Sequence, residues 1–300
     1  MFRILIFTLF TVCSAFSADG DTIHNKKSSD FEYVITSSNV GKVRYTKPSH
    51  SLKSVIIGDK TYTKPTLERS SYISNPGEPS LPVSSTFIAV DPTKTYSINV
   101  NVISSNIVEG VDIAPQGSWD NDSENAAFTG ELNYSNSYYP QSIASISDMM
   151  TLRELSVVNL TVSPFRYYPE SKILEEFTEV DIELVEVGNS DNQVFIPQKR
   201  SRAFEPLYKS MVVNYSSLDR ESIPFQRPSI LYVLPSNIGN LLGTVNVLMD
   251  WKRRVGYEVN YISSSNVVNS STNLKNYIET AYEAWDNPPE YVTIIADAEG

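Results

Sequence analysis

The alternation of strand and helix from residue 229 to 297 constrains the fold more than any other feature. The apolar run "SILYVLP" precedes a helix predicted from Asn237 to Val255, and the strand "YEVNYIS" follows. Ser271 or Thr272 caps a second predicted helix, and "YVTIIAD" then predicts a third strand. Because the connections are short and crossovers between parallel strands are right-handed, this order predicts a parallel β-α-β-α-β unit.

Both helices carry an apolar stripe at three- and four-residue spacing, which predicts the face that packs on the sheet. The predicted core positions are Leu241, Val245, Leu248 and Trp251 in the first helix, and Leu274, Ile278, Ala281, Tyr282 and Trp285 in the second. Gly256 is placed to end the first helix, and Pro288-Pro289 ends the second.

The predicted unit has three parallel strands and two helices, too few to cover a sheet on both faces. We therefore expect a truncated α/β domain, with more chain after Gly300. Function collects at the carboxyl ends of strands in such sheets, which makes Asp297 and Glu299 candidates for the edge of a cleft. Asp297 would orient a histidine, bind a cation or recognise a basic substrate; the alternative is a turn-forming aspartate. "LPSNIGN" has no phosphate-binding glycine pattern, which argues against nucleotide binding.

The stretch from 31 to 190 has the pattern of short strands bounded by turn residues and predicts an all-β sandwich or barrel-like domain. In "EVDIELVEV", Val180, Ile182 and Leu184 alternate with Glu179, Asp181 and Glu183. We interpret the carboxylates as a solvated sheet face rather than a calcium ladder. "ASISDMMTLREL" is predicted as one or two helical turns.

Residues 191–228 mix proline, serine and basic side chains and are predicted as a linker between the two domains. Arg200 and Arg202 belong to its basic cluster and are candidates for a processing site, the alternative being a solvated basic loop. Arg227 precedes Pro228, a bond that trypsin-like enzymes cut poorly. We expect 197–228 to be the most protease-sensitive part of the chain.

The N-terminus predicts export. Arg3 precedes an apolar run, and Ala15-Phe16-Ser17 fits a cleavage site, so residues 1–17 are predicted as a signal peptide and 18–30 as a loose segment. The alternatives are a core helix and a lipid anchor on Cys13. No later run reaches the roughly 20 apolar residues of a spanning helix, so we expect no membrane span.

The net charge and the scarcity of cysteine and histidine argue against several functions. The net charge of −11 gives no electrostatic support for binding nucleic acid. Cys13 is the only cysteine and lies in the predicted signal, and His24 and His50 are the only histidines, interpreted as surface residues. The chain therefore offers no thiol–imidazole pair, and we assign no catalytic residue and no metal site within it.

Several motifs resemble a known family. Asp250-Trp251-Lys252 running to Gly256, the helix from Tyr277 to Trp285, and Pro289-Glu290-Tyr291-Val292 entering a strand are similar to the start of the catalytic domain of gingipain-like (C25) cysteine peptidases, which have a caspase-like α/β fold. Members usually have Gly-Asp where this chain has Ala296-Asp297. "NPGEPSLPVSSTFIAVDPTKTYSINV" is similar to their propeptide through Gly77, Pro79, Leu81, Pro82 and Val83. The resemblance covers about 70–187 and 229–300.

The resemblance implies a secreted zymogen that acts on protein or peptide substrates. The β-rich prodomain would assist folding and block the cleft as an intramolecular inhibitor, and the catalytic histidine and cysteine would follow Gly300. The resemblance allows a structural calcium ion and implies no other cofactor. Two alternatives stay open: a sortase-like transpeptidase of the same fold, and a non-catalytic secreted binding or adhesion protein. In either case the 300-residue chain is predicted to be inactive.

Overall fold

The computed structural model describes residues 30–35, 41–117, 134–191, 199–239 and 241–295. The strands are β1 (Phe31–Ile35), β2 (Gly41–Thr46), β3 (His50–Ile57), β4 (Lys60–Leu67), β5 (Ser71–Tyr72), β6 (Pro82–Ala89), β7 (Lys94–Glu109), β8 (Ala144–Ile146), β9 (Met150–Leu152), β10 (Leu155–Val162), β11 (Phe165–Tyr168), β12 (Ile173–Asn189), β13 (Ser229–Val233), β14 (Glu258–Ile262) and β15 (Tyr291–Ile294). The helices are α1 (Glu205–Met211), α2 (Leu241–Arg254), α3 (Ser265–Val268) and α4 (Ser271–Ala284), with a 3-10 turn at Tyr215–Ser217.

Ten of the first twelve strands form the two antiparallel sheets of a sandwich, and β3 and β4 pair with each other as a separate two-stranded sheet. One sheet has the order β1-β2-β12-β11 with β7 along the free side of β12, and the other has the order β5-β6-β10-β8 with β9 also on β10. The main core joins the two sheets, since Tyr45, Phe177 and Val180 of the first pack with Ile88 and Leu160 of the second. The predicted all-β region is confirmed.

The stretch predicted as helical turns is extended instead. β8 and β9 both pair with β10 in antiparallel register, with Ile146 opposite Leu160 and Met150 opposite Val157. Pairing with a buried strand satisfies the backbone groups that a short isolated helix would leave exposed, so tertiary contacts override the weak local preference.

The acidic side of β12 is only partly solvated. Val180 and Ile182 lie in the core as predicted, but Asp181 is buried as well. Strand pairing sets Arg44 opposite Asp181, and the Arg44 Nε donates to Oδ1 at 2.9 Å. The Lys42 Nζ lies 2.6 Å from Oδ2. The hydrogen bond from Arg44, helped by Lys42, lowers the pKa of Asp181. The interpretation of a wet carboxylate is wrong at this position because β2 supplies two cations across the ladder.

The second region is a parallel three-stranded sheet with β13 between β14 and β15. The order β13-α2-β14-α4-β15 confirms the predicted β-α-β-α-β unit. Gly256 has a φ of +101°, a conformation that favours glycine after a helix end. Ser270, one residue before the predicted cap, accepts a hydrogen bond from the Asn273 N–H and begins α4.

The buried face of α2 differs from the prediction. Val245 and Met249 pack against the sheet, while Leu241, Leu248 and Trp251 are between 42% and 49% exposed. The helix is apolar on more than one side, so its spacing fits two stripes equally well and the sheet contact selects one. In α4 only Ala281 is buried among the predicted core positions.

The segment that the sequence predicts as a linker is folded over its described part, 199–228. Tyr208 and Val212 pack with Ala89, Leu155 and Val157 in a core cluster of their own. The Val213 N–H donates to the Phe87 carbonyl at 2.9 Å, which attaches the segment to β6. The helical spacing from Phe204 through Tyr208 to Val212 explains the packing. The predicted linker is therefore a folded segment over these residues.

Candidate functional site at the junction of the two regions

The contact between the two regions lies at the amino ends of the parallel strands. Three pieces of chain meet there: the turn Arg153-Glu154 between β9 and β10, the connecting segment 199–228, and Pro288-Pro289-Glu290 before β15. β13 begins at Ser229 within the same contact, where the Ser229 Oγ donates to the Pro288 carbonyl at 2.6 Å. The site therefore connects the sandwich to the start of the second region.

Arg153 is the most fully engaged side chain of the junction. Its Nη2 donates to the Gln226 Oε1 at 2.8 Å, and its Nη1 donates to the Pro289 carbonyl at 3.1 Å. The guanidinium also lies near two rings, 5.5 Å from the centroid of Phe204 and 5.4 Å from that of Tyr282. The Tyr282 hydroxyl donates to the Arg153 carbonyl at 3.2 Å. A single residue of the sandwich thus contacts the connecting segment, α4 and the chain before β15.

Glu154 holds the connecting segment from the other side of the same turn. Its Oε1 accepts from the Ser201 N–H at 2.8 Å, and its Oε2 accepts from the Tyr208 hydroxyl at 2.5 Å. Burial, with the hydrogen bond to Glu154, raises the pKa of Tyr208 well above its ordinary value. The Ser201 Oγ donates to the Glu290 Oε1 at 2.5 Å. All four residues are buried, so breaking any of these bonds would leave a polar group unpaired away from water.

A buried ion pair closes the network within the connecting segment. The Arg220 Nη2 donates to the Glu205 Oε1 at 2.9 Å, and the Tyr215 hydroxyl donates to the other oxygen of Glu205. Both charged side chains are less than a tenth exposed. A paired buried charge is costly to separate, so the ion pair fixes the fold of the segment between α1 and β13.

Of the two processing candidates, Arg200 pairs with Phe225 in a short parallel bridge. The Arg200 N–H donates to the Pro224 carbonyl, and the Gln226 N–H donates to the Arg200 carbonyl, both at 2.8 Å. The guanidinium groups of Arg200 and Arg202 lie 4.1 and 4.6 Å from the centroid of the Phe225 ring. Ser201 between them is completely buried. In this conformation the backbone at Arg200 is paired rather than free to enter a protease.

The cleft-edge candidates Asp297 and Glu299 lie outside the described residues. The carboxyl edge of the sheet is described up to Ile295, whose N–H donates to the Val233 carbonyl at 2.9 Å. At the same edge the Ser236 Oγ donates to the Asn269 Oδ1 at 3.3 Å. Parallel strands have all their amino ends on one side, so the junction and this edge lie at opposite ends of the strands.

His50 is not the solvated side chain that the sequence suggests. Its Nε2 lies 2.8 Å from the Glu176 Oε1, and its Nδ1 lies 2.8 Å from the Lys47 Nζ. These contacts attach the start of β3 to β12 within the sandwich. Among the described residues, no cluster of histidine, cysteine, aspartate or glutamate could hold a metal ion. Within the same residues, no helix combines the length and apolar character that crossing a membrane requires.

Sequence reasoning missed the junction residues. Arg153 and Glu154 form a two-residue turn without glycine, and Arg153 has a φ of +52°. Nothing in the local sequence predicts this positive φ. The signal that was available is the helical spacing of apolar residues in 204–212, which indicates that the connecting segment has a buried face.

A β-sandwich is attached to a parallel α/β sheet through a folded connecting segment, and family models identify the two parts as a propeptide region followed by the start of a catalytic domain. The family model Propeptide_C25 matches residues 26–223, and the model of Peptidase family C25 matches residues 223–300. The propeptide match covers more than half of the chain, and the chain belongs to this family as a gingipain-like C25 precursor.

Curated relatives agree with this assignment. Gingipain R2 of Porphyromonas gingivalis is 25% identical over 243 residues, which are 78% of this chain and 32% of that protein. Gingipain R1 of Porphyromonas gingivalis is 23% identical over 270 residues, 87% of this chain and 27% of that protein. This chain therefore spans about a third of the length of these curated relatives.

A solved structure is similar in fold over part of this chain. The complex of Porphyromonas gingivalis RgpB pro- and mature domains matches with a TM-score of 0.53 and 25% identity, over 63% of this chain and 98% of the matched chain. The residues matched by the propeptide model extend to 223, which agrees with the packing of the connecting segment on the sandwich. We refer below to 30–223 as the propeptide region and to 224–295 as the peptidase region.

Proposed function

We propose that this chain is the N-terminal part of an exported cysteine endopeptidase precursor that acts on protein or peptide substrates. The observation that carries the proposal is the succession of the two C25 matches on one chain, with the propeptide region seated on the start of the peptidase region. These matches favour neither the transpeptidase nor the non-catalytic adhesion protein.

The chemistry would come from residues after Gly300, since Cys13 is the only cysteine of this chain. In the proposed mechanism a histidine accepts the proton of a cysteine thiol, and the thiolate attacks the peptide carbonyl. The amine leaves with that proton, and water then hydrolyses the thioester. Asp297 and Glu299 follow β15 in the sequence, and we propose that they line the cleft at the carboxyl edge of the sheet.

The propeptide region would have two roles, to assist folding of the peptidase region and to block its cleft. The described contacts support the first role, because Arg153 and Ser201 of the propeptide region bind Pro289 and Glu290 just before the amino end of β15. Blocking requires contacts at the carboxyl edge, at the opposite end of the strands. Export is proposed from the predicted signal peptide at residues 1–17, and structural calcium remains part of the proposal on family resemblance alone.

An activity assay on the complete precursor tests the proposal. The full-length gene product, processed to its mature form, should hydrolyse unfolded protein and short peptides, and a thiol-alkylating reagent should abolish turnover. The 300-residue chain is the matched control and should show no turnover. Hydrolysis that alkylation leaves untouched, or turnover by the 300-residue chain, would overturn the proposal.

A further inference from the structure

Arg153 stands out because its backbone conformation does not suit its side chain. Its φ of +52° lies in the left-handed region, which glycine adopts freely and other residues adopt at a cost. Two-residue hairpin loops such as this one usually place glycine, asparagine or aspartate at left-handed positions. A strained residue of this kind points to a function for the side chain.

Two other residues in the described part of the chain share this backbone conformation and provide a comparison. Arg69 has a φ of +55° and Lys172 has a φ of +53°. Their side chains are 58% and 55% exposed, whereas that of Arg153 is 8% exposed. Only at Arg153 does the turn deliver a long cation into a buried contact with the peptidase region.

The contact of Arg153 is suited to recognition as well as to packing. The guanidinium has donors in a fixed plane, and they reach an amide oxygen of Gln226 and the carbonyl of Pro289 while the planar group lies near two rings. Buried arginines with such contacts are among the residues that dominate binding between protein surfaces. Lysine would keep the charge, but it would lose the planar set of donors and the contact of the guanidinium with the two rings.

The chain between the two regions also contains a short exposed loop. Asp219, Glu221 and Ser222 are exposed, while Arg220 and Gln226 on either side are buried. A cut between Glu221 and Ser222 would leave α1 on the sandwich through Tyr208, and would leave Gln226 bound to Arg153. Noncovalent contacts would therefore still connect the two pieces after such a cut.

We propose that Arg153 is the recognition residue that keeps the propeptide region bound to the peptidase region once the chain is cut between them. Its left-handed turn positions the guanidinium in a socket formed by Phe204, Gln226, Tyr282 and Pro289. The socket lies at the amino ends of the strands, so retention through Arg153 is separate from any blocking of the cleft. The proposal goes beyond the proposed function and does not depend on catalytic activity.

The experiment uses the 300-residue chain with a recognition sequence for a site-specific protease inserted between Glu221 and Ser222. After the cut, size-exclusion chromatography over a dilution series measures the dissociation constant of the two pieces. The parent should elute as one complex. Arg153→Gly, which suits the turn, should weaken the complex at least about tenfold, and Arg153→Lys should weaken it less.

The matched control is Lys172→Gly, which makes the same backbone change at an exposed side chain and should leave the dissociation constant unchanged. A second test combines Arg153→Gly with Gln226→Ala, because the two side chains contact each other. Gln226→Ala should weaken the complex less in the Arg153→Gly background than in the parent. The proposal fails if Arg153→Gly binds as tightly as the parent, if Lys172→Gly weakens the complex equally, if the two effects add in full, or if the parent pieces separate.

Discussion

The propeptide region and the peptidase region bury their apolar surface to very different extents. Leu160, Phe165 and Phe177 in the sandwich are almost completely buried between its sheets and loops. In the peptidase region Tyr291, Val292 and Ile294 of β15 are exposed, as is Trp251 on α2. Parallel strands are normally covered on both faces. The propeptide region therefore has its own core, whereas the described peptidase region leaves a larger part of its apolar surface exposed.

The junction differs in kind from both regions. Instead of apolar packing, it joins Arg153, Glu154, Ser201 and Glu290 by buried hydrogen bonds. Such networks demand one geometry, because an unpaired member is costly in a low dielectric. The propeptide region is therefore positioned specifically at the amino ends of the strands.

The largest expected effect is the loss of core volume in the sandwich. Leu160→Ala should lower the free energy of unfolding by about 2–5 kcal/mol, since it leaves a cavity where both sheets meet. Val247→Ala on the exposed side of α2 is the control and should change it by less than about 0.5 kcal/mol. Urea unfolding followed by circular dichroism measures both. Equal losses of unfolding free energy in the two variants would contradict the difference in burial between the two regions.

The next effect concerns the junction. Tyr208→Phe removes the hydroxyl that donates to Glu154 and should cost about 1–3 kcal/mol, because the carboxylate loses a buried partner. Tyr168→Phe, whose hydroxyl donates to the less buried Glu175, is the control and should cost less. Urea unfolding at neutral pH compares the two.

Tyr208 also predicts a dependence on alkaline pH. Its pKa is raised in the folded protein, so its contribution is complete below the unfolded pKa of about 10 and is lost as pH rises above that value. The stability of Tyr208→Phe should therefore fall less steeply between about pH 9 and 11. Parallel slopes for parent and variant would contradict the burial of this hydroxyl.

A smaller effect is expected at Asp181. Its pKa is lowered by Arg44 and Lys42, so its contribution is present above the unfolded pKa of about 3.9 and is lost as pH falls below that value. Asp181→Asn should cost about 1 kcal/mol or less at neutral pH, since the two cations are partly exposed. The difference should vanish toward pH 2. A difference that persists in acid would mean that packing, not charge, is lost.

The sequence predicted the architecture through periodicity. Alternation identified the strands of the sandwich, and the change to helical spacing after residue 229 identified the parallel unit. These patterns depend on residues close together in the chain, so they can be recognised without knowing which elements pack against each other. The face of α2 could not be chosen, because the stripes through Leu248 and Met249 are both apolar and only the sheet decides between them.

The junction could not be predicted for a different reason. Arg153, Ser201, Gln226 and Glu290 are far apart in the chain, and nothing in the sequence indicates that they meet. The composition of 191–228 indicated a linker, yet Tyr208 and Val212 bury it on the sandwich. A polar composition indicates that a segment is exposed on average. It does not reveal a few apolar residues at helical spacing that bury one face of the segment.

Amide hydrogen exchange of the connecting segment tests the central claim, that this segment is a folded part of the junction. The Ser201, Val213 and Gln226 amides donate to Glu154, Phe87 and Arg200, and they should exchange nearly as slowly as those of β10. Fast exchange should be confined to the exposed loop around Glu221 and Ser222. Fast exchange throughout 199–228 would contradict the account and restore a loose linker between two separate domains.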